Sequence, residues 1–172
     1  SSVGGKYTFK DDWEFVDHQQ VTFKYPKNKF ITWTGHSRGL IQPKRPGRGV
    51  TIYGSKGTIQ LSRNFYKRYD LGGNLIDSIF EDAVSQTTDT RGQGQLDVNH
   101  VENLFNAIRE EKSLNAEIKD ASISTMMCHL ANMAQDAGET LQIDRKSGKV
   151  LNNTMIMKNW NREYAQGWEP KV

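Results

Sequence analysis

The 172-residue chain has a single cysteine, Cys128, which rules out an internal disulfide. A lone cysteine fits a reducing compartment but leaves cytoplasm and periplasm both open. The four histidines form no His-x-x-x-His or His-Glu-x-x-His pair, and one thiol cannot build a thiolate cluster, so we expect no metal site. No apolar run approaches the ~20 residues of a membrane-spanning helix, so we expect no membrane partner.

Nucleotide-binding loops are also missing from the sequence. No Gly-x-Gly-x-x-Gly lies between a strand and a helix, and no Gly-x-x-x-x-Gly-Lys-Ser/Thr occurs. The acids and bases interleave, with a net charge of +3, whereas nucleic-acid binders concentrate basic residues in a stripe. We expect no cofactor-binding residue in this chain and no nucleic-acid partner. Weak, salt-sensitive binding through the basic loop 35–49 is a third-ranked possibility.

Alternating apolar and polar residues predict strands in the first half of the chain. The turn Gly54-Ser55-Lys56-Gly57 is typical of a hairpin, and Pro26-Lys27-Asn28 supplies another turn. Because consecutive strands with short links pair as neighbours, the sheet should be mostly antiparallel. The predicted strands cover residues 21–25, 30–36, 50–53, 58–61 and 66–71.

Two later segments change to a helical period. The first has apolar residues at i, i+3, i+4 and i+7, beginning at Val101, and Asp97 is a candidate cap for its start. The second runs from about Lys119 to Ala137, where Gly138 should end it. The order predicts one α+β domain over residues 1–172, an open, mostly antiparallel sheet with two main helices packed on one face. A return strand over 141–144 and a short helix over 155–160 are predicted near the end.

Residue alternation gives the predicted sheet one apolar face and one polar face. Hydroxyl and aromatic groups on the polar face suit a wet interface or recognition of a polyol, although an ordinary solvated face has the same composition. Beside it, the loop 35–49 is rich in glycine and arginine, and loops on a rigid sheet concentrate binding residues. The candidate substrate-binding residues are His36, Arg38 and Arg45; the candidate interface residues are Thr22, Thr32, Thr34, Thr51 and Tyr53.

Other polar pairs have simple structural interpretations. Glu14 and Asp17 lie three residues apart, as an acid–base pair would, but acids at this spacing are common. Cys128 and His129 are adjacent on a helix and point about 100° apart, which argues against a nucleophile–base pair. No catalytic residue is assigned.

Four segments together resemble the C-terminal domain of the Gfo/Idh/MocA oxidoreductases. Residues 50–61, VTIYGSKGTIQL, resemble its strand–Gly–strand unit, and residues 100–109, HVENLFNAIR, resemble its H-x-x-N-F helix. Residues 124–132, STMMCHLAN, are similar to the S-x-x-x-C-H-L-x-N helix of a bacterial branch, and the tail NREY with Trp168 resembles a closing R-E-Y…W. The order and spacing of these segments span nearly the whole chain.

The resemblance implies the substrate-side and oligomerisation domain of a longer protein, whose N-terminal Rossmann domain binds NAD or NADP. In that family the reaction is hydride transfer at a sugar or cyclitol hydroxyl, and the sheet face forms a homo-oligomer. The family's D-x-x-x-H pair would precede Ser1; Asp97 and His100 have a different spacing, so no catalytic residue is carried over. We therefore expect a chain that binds no cofactor and is not competent alone. The alternative is a non-enzymatic carbohydrate-binding or interaction module.

Overall fold

The computed structural model describes residues 1–8, 10–37, 49–62, 65–80 and 95–169. The chain divides into two compact units, residues 1–40 with 116–172 and residues 41–115. The predicted α+β class with open antiparallel sheets is confirmed. The elements are β1 Ser2–Gly5, β2 His18–Tyr25, β3 Lys29–His36, β4 Gly49–Gly54, β5 Gly57–Ser62, β6 Phe65–Tyr69, β7 Leu75–Phe80, α1 Gln95–Glu110, α2 Ile118–Ala137 and a 3-10 helix Ile156–Trp160.

The first unit contains a three-stranded antiparallel sheet in the order β1-β2-β3. The register between β2 and β3 pairs Thr22 with Thr32 and His18 with His36, so these four side chains share one face. Helix α2 packs on the other face, where the Gln135 side chain donates to the Gly4 carbonyl across 3.1 Å. Val21 lies on that covered face and is only 2% exposed.

The core of this unit forms beneath α2. Leu130, Met133 and Val150 are buried together, and partly buried apolar residues surround them. Gly138 ends the helix as predicted, with a positive φ of 64° and its N–H bonded to the Gln135 carbonyl. The predicted return strand is reduced to one bridge between Ile143 and Val150, and the predicted tail helix is a 3-10 helix. The partly buried apolar residues that pack around this core are Met126, Leu141, Ile143, Ile156, Met157 and Trp160.

The second unit contains the sheet β4-β5-β6-β7 and helix α1. In the β4–β5 hairpin, a Cβ on Gly57 would lie 2.1 Å from the Tyr69 carbonyl oxygen, so this turn requires glycine. None of the described residues of this unit is buried. Apolar side chains lie opposite each other on neighbouring strands and form cross-strand rows, which we call rungs. The apolar stripe of α1 is also exposed. One rung consists of Val50, Leu61, Tyr66 and Ile79; the stripe is Val98, Val101, Leu104, Phe105 and Ile108.

Within the described ranges, neither helix combines the length and apolarity that crossing a bilayer would require.

Candidate functional site

Two histidines meet at the end of the first sheet. His18 begins β2 and His36 ends β3, and the antiparallel register places them directly opposite each other. Their ring centroids are 4.8 Å apart with an edge-to-face angle of 68°. Both lie on the face that α2 leaves open, beside Thr22, Thr32 and Thr34. The predicted binding residue His36 is thus part of a pair that the sequence interpretation did not include.

Asp17 fixes the orientation of the first histidine. Its Oδ1 lies 2.7 Å from His18 Nδ1, and its carboxylate also accepts hydrogen bonds from the Tyr7 and Thr8 amides. The hydrogen bond from His18, followed by those from the two backbone amides, holds the pKa of Asp17 well below its usual range. The carboxylate is therefore ionised at neutral pH.

Ionisation of Asp17 determines which nitrogen of His18 is available. An ionised carboxylate only accepts, so Nδ1 of His18 carries the proton and donates it. In the neutral ring, Nε2 then bears the lone pair. The hydrogen bond to the carboxylate also restrains rotation of the imidazole. His18 can accept a hydrogen bond from a ligand hydroxyl at a defined position.

Tyr7 continues the row of rings. Its ring lies 5.8 Å from His18 with a 71° interplanar angle. It also covers Gly5, where a Cβ would lie 2.7 Å from the tyrosine ring. A side chain at position 5 would therefore displace the tyrosine from the histidine. We call Tyr7, Asp17, His18 and His36 the histidine cluster.

Backbone hydrogen bonds attach the cluster to the sheet edge. The Asp17 N–H donates to the Gly5 carbonyl across 3.2 Å, and the Ser37 N–H donates to the Asp17 carbonyl across 2.8 Å. The side chains of Asp17 and His18 are 13% and 20% exposed, so both groups are partly buried and both reach the surface. His36 is exposed, and within the described residues its ring makes no hydrogen bond. One imidazole is held in place and its partner is free to meet a ligand.

The other predicted site residues have different positions. Thr51 and Tyr53 lie exposed on β4, in the second unit, rather than in the sheet that carries Thr22, Thr32 and Thr34. Arg38 and Arg45 lie outside the described residues. Glu14 is exposed, and Asp17 pairs with His18 rather than acting with Glu14.

A shallow cavity of about 360 Å³ lies in the second unit around the β4–β5 turn. It is lined by the turn, Arg68, Tyr69 and Ile76. The Arg68 guanidinium is already paired with Asp77 across 2.8 Å, and Asp77 also accepts a hydrogen bond from the Tyr66 hydroxyl. That hydrogen bond raises the pKa of Tyr66. The guanidinium that lines this cavity is therefore already held in an ion pair.

No protein-family model, curated protein or solved structure matches the chain. Among the described residues, no group of three or more His, Cys, Asp or Glu side chains is arranged to hold a metal ion. Two imidazoles, a carboxylate and a phenol beside an open face of threonine hydroxyls can exchange hydrogen bonds with a neutral polyhydroxyl ligand.

Proposed function

We propose that the chain is the substrate-side and assembly domain of a longer NAD- or NADP-dependent oxidoreductase that acts on a hydroxyl of a sugar or cyclitol. The observation that carries the proposal is the histidine cluster on the open polar face of β1–β3. The sequence predicts His36 as a substrate contact, and Asp17 orients its neighbour His18 so that Nε2 of the neutral ring can accept a hydrogen bond from a ligand hydroxyl. The four-segment resemblance supplies the oxidoreductase class.

Assembly is supported by the second unit. The rung of Val50, Leu61 and Ile79 is exposed, although apolar side chains aligned across a sheet are stabilised by being covered. A second copy or another domain of the same protein would remove this surface from water. The proposal therefore assigns recognition to the first unit and association to the sheet of the second.

The test uses the protein encoded by the complete gene. A panel of sugars and cyclitols is screened with NAD and with NADP by nicotinamide absorbance. His36→Ala should raise KM for the active sugar while leaving the Kd of the reduced nicotinamide unchanged, because the imidazole touches only the substrate. His129→Ala is the matched control, since this histidine is exposed on α2 and lies outside the cluster. An unchanged KM in His36→Ala, or a complete protein without nicotinamide binding, would contradict the proposal.

The second candidate function is a non-enzymatic carbohydrate-binding module. The exposed Tyr7 ring beside the two imidazoles favours it, because aromatic surface next to hydrogen-bonding groups is typical of ligand sites. Measurements of sugar binding and turnover by the complete protein distinguish the two candidate functions. A module binds sugar with equal affinity whether or not a nicotinamide is added, whereas an oxidoreductase turns the sugar over.

A further inference from the structure

Exposed aromatic side chains lie in the segment that leads into the histidine cluster. Tyr7 is 73% exposed, Trp13 is 68% exposed and Phe15 is 64% exposed, all within the segment that joins β1 to β2. Water contact with large apolar side chains is unfavourable, so several in one short segment indicate a surface that becomes covered on binding. We call Tyr7, Trp13 and Phe15 the aromatic trio.

Two anchors hold the backbone that carries the trio. The Lys6 ammonium donates to the carbonyls of Asp11 and Trp13 and forms an ion pair with the Asp11 carboxylate across 2.8 Å. The Asp17 carboxylate accepts from the amides of Tyr7 and Thr8. The backbone at Trp13 is thus held within reach of the Lys6 side chain, and the backbone at Tyr7 is held by Asp17. A surface ordered before binding loses less conformational entropy when the ligand arrives.

The charges between the aromatic residues indicate a polar ligand rather than a protein. Lysine, aspartate and glutamate are depleted from the cores of protein interfaces. In this segment they alternate with the aromatic residues, so a protein partner would have to bury or displace them. A saccharide places C–H groups on an aromatic ring and its hydroxyls on neighbouring polar groups, so it satisfies both. The interleaved residues are Lys6, Lys10, Asp11, Asp12 and Glu14.

The extent of the surface indicates the size of the ligand. The row Tyr7–His18–His36 already provides one ring face and two imidazoles, which is enough for a single pyranose. Trp13 and Phe15 add further aromatic surface, at about 150–250 Å² for each side chain. We propose that the histidine cluster and the aromatic trio form one extended site for a saccharide of two or more rings. This inference depends on the proposed polyol recognition at the cluster and names its substrate class as an oligosaccharide.

Titration of the full chain by calorimetry tests the inference. The probes are glucose, maltotriose and cellotriose. One of the trisaccharides should bind about tenfold more tightly than glucose, the change that roughly one aromatic contact produces. Trp13→Ala should reduce its affinity to that of glucose and leave glucose binding unchanged. Phe15→Ala is a second variant in the same segment, and circular dichroism confirms that each variant is folded.

Trp168→Ala is the matched control, because Trp168 is 77% exposed but lies outside the segment between β1 and β2. It should leave both affinities unchanged. If glucose binds and neither trisaccharide binds more tightly, the inference is wrong while the proposed function stands. If no saccharide binds, the inference is wrong, and KM measured for His36→Ala in the complete protein decides the proposed function separately. If Trp13→Ala instead changes the sedimentation coefficient, the trio is a protein interface and the inference is overturned.

Discussion

Substitution of Leu130 by alanine tests whether α2 forms the core of the first unit. Leu130 is 8% exposed and packs with Met133 and Val150. The substitution removes three carbon groups, whose transfer to water costs about 2 kcal/mol at ~0.8 kcal/mol each. A cavity that relaxes only partly adds to this, so the free energy of unfolding should fall by about 3 kcal/mol.

Ile123 gives a matched control on the same helix, because it lies seven residues, about two turns, before Leu130. Its side chain is 51% exposed, so Ile123→Ala removes much less buried surface, and the higher helix propensity of alanine offsets part of that loss. The change should stay below about 1 kcal/mol.

Urea unfolding followed by tryptophan fluorescence is the assay. All four tryptophans, at positions 13, 33, 160 and 168, lie in the first unit, and Trp160 packs against its core, so the signal reports this unit. The slope m should match that of the unsubstituted chain, which makes the midpoint a measure of stability. Equal midpoint shifts for the two variants, or a loss below about 1 kcal/mol for Leu130→Ala, would refute the described core.

Three further predictions concern the cluster and one tight turn. Hydrogen bonds from His18 and two amides lower the folded-state pKa of Asp17, so its contribution to stability is complete above the unfolded value of about 3.9 and is lost as pH falls through the folded value. Asp17→Asn should therefore weaken the acid dependence measured by urea midpoints at several pH values; an unaltered dependence would exclude this role. Gly5→Ala should move Tyr7 away from His18 and change the histidine ring-proton shifts in NMR spectra, whereas identical shifts would contradict the described contact. Gly148 has a φ of 72°, and a Cβ there would lie 2.0 Å from Met126 Sδ, so Gly148→Ala should lower the urea midpoint, and an unchanged midpoint would count against this packing.

Local sequence patterns were sufficient to predict most of the strands and helices. Alternation located β2 to β6, and the i, i+3, i+4, i+7 spacing located both helices. Strand β7 was not predicted, because its sequence LIDSIF places apolar residues in adjacent pairs instead of alternating them. It forms by pairing with β6, which is a contact that residue periodicity does not report. Helix α1 begins at Gln95, two residues before its predicted cap Asp97.

The histidine pair could have been found from one turn. In a hairpin whose loop is residues 26–28, residues equally distant from Lys27 lie opposite each other, and His18 and His36 are each nine residues away. The positive φ values of Lys27 and Asn28, 58° and 55°, identify this tight loop in the structure. The contact with Tyr7 had no such signal, since it depends on the path of the chain after β1 and on the missing side chain of Gly5.

The two proposed roles impose opposite requirements on their surfaces. In β4–β7 the rung residues Val50, Leu61 and Ile79 are aliphatic, so a partner that covers them removes apolar area from water. Arg68 and Asp77 on the same face already pair with each other, so covering this face leaves neither charge without a counter-ion. The histidine cluster contains an ionised carboxylate and two imidazoles, which would lose hydration without compensation if an apolar partner covered them. Association should therefore occur through the second unit, and the cluster should stay accessible to a ligand that provides hydroxyl groups of its own. A substitution of Ile52 or Ile79 that weakens self-association should then leave the affinity of the histidine cluster for sugar unchanged.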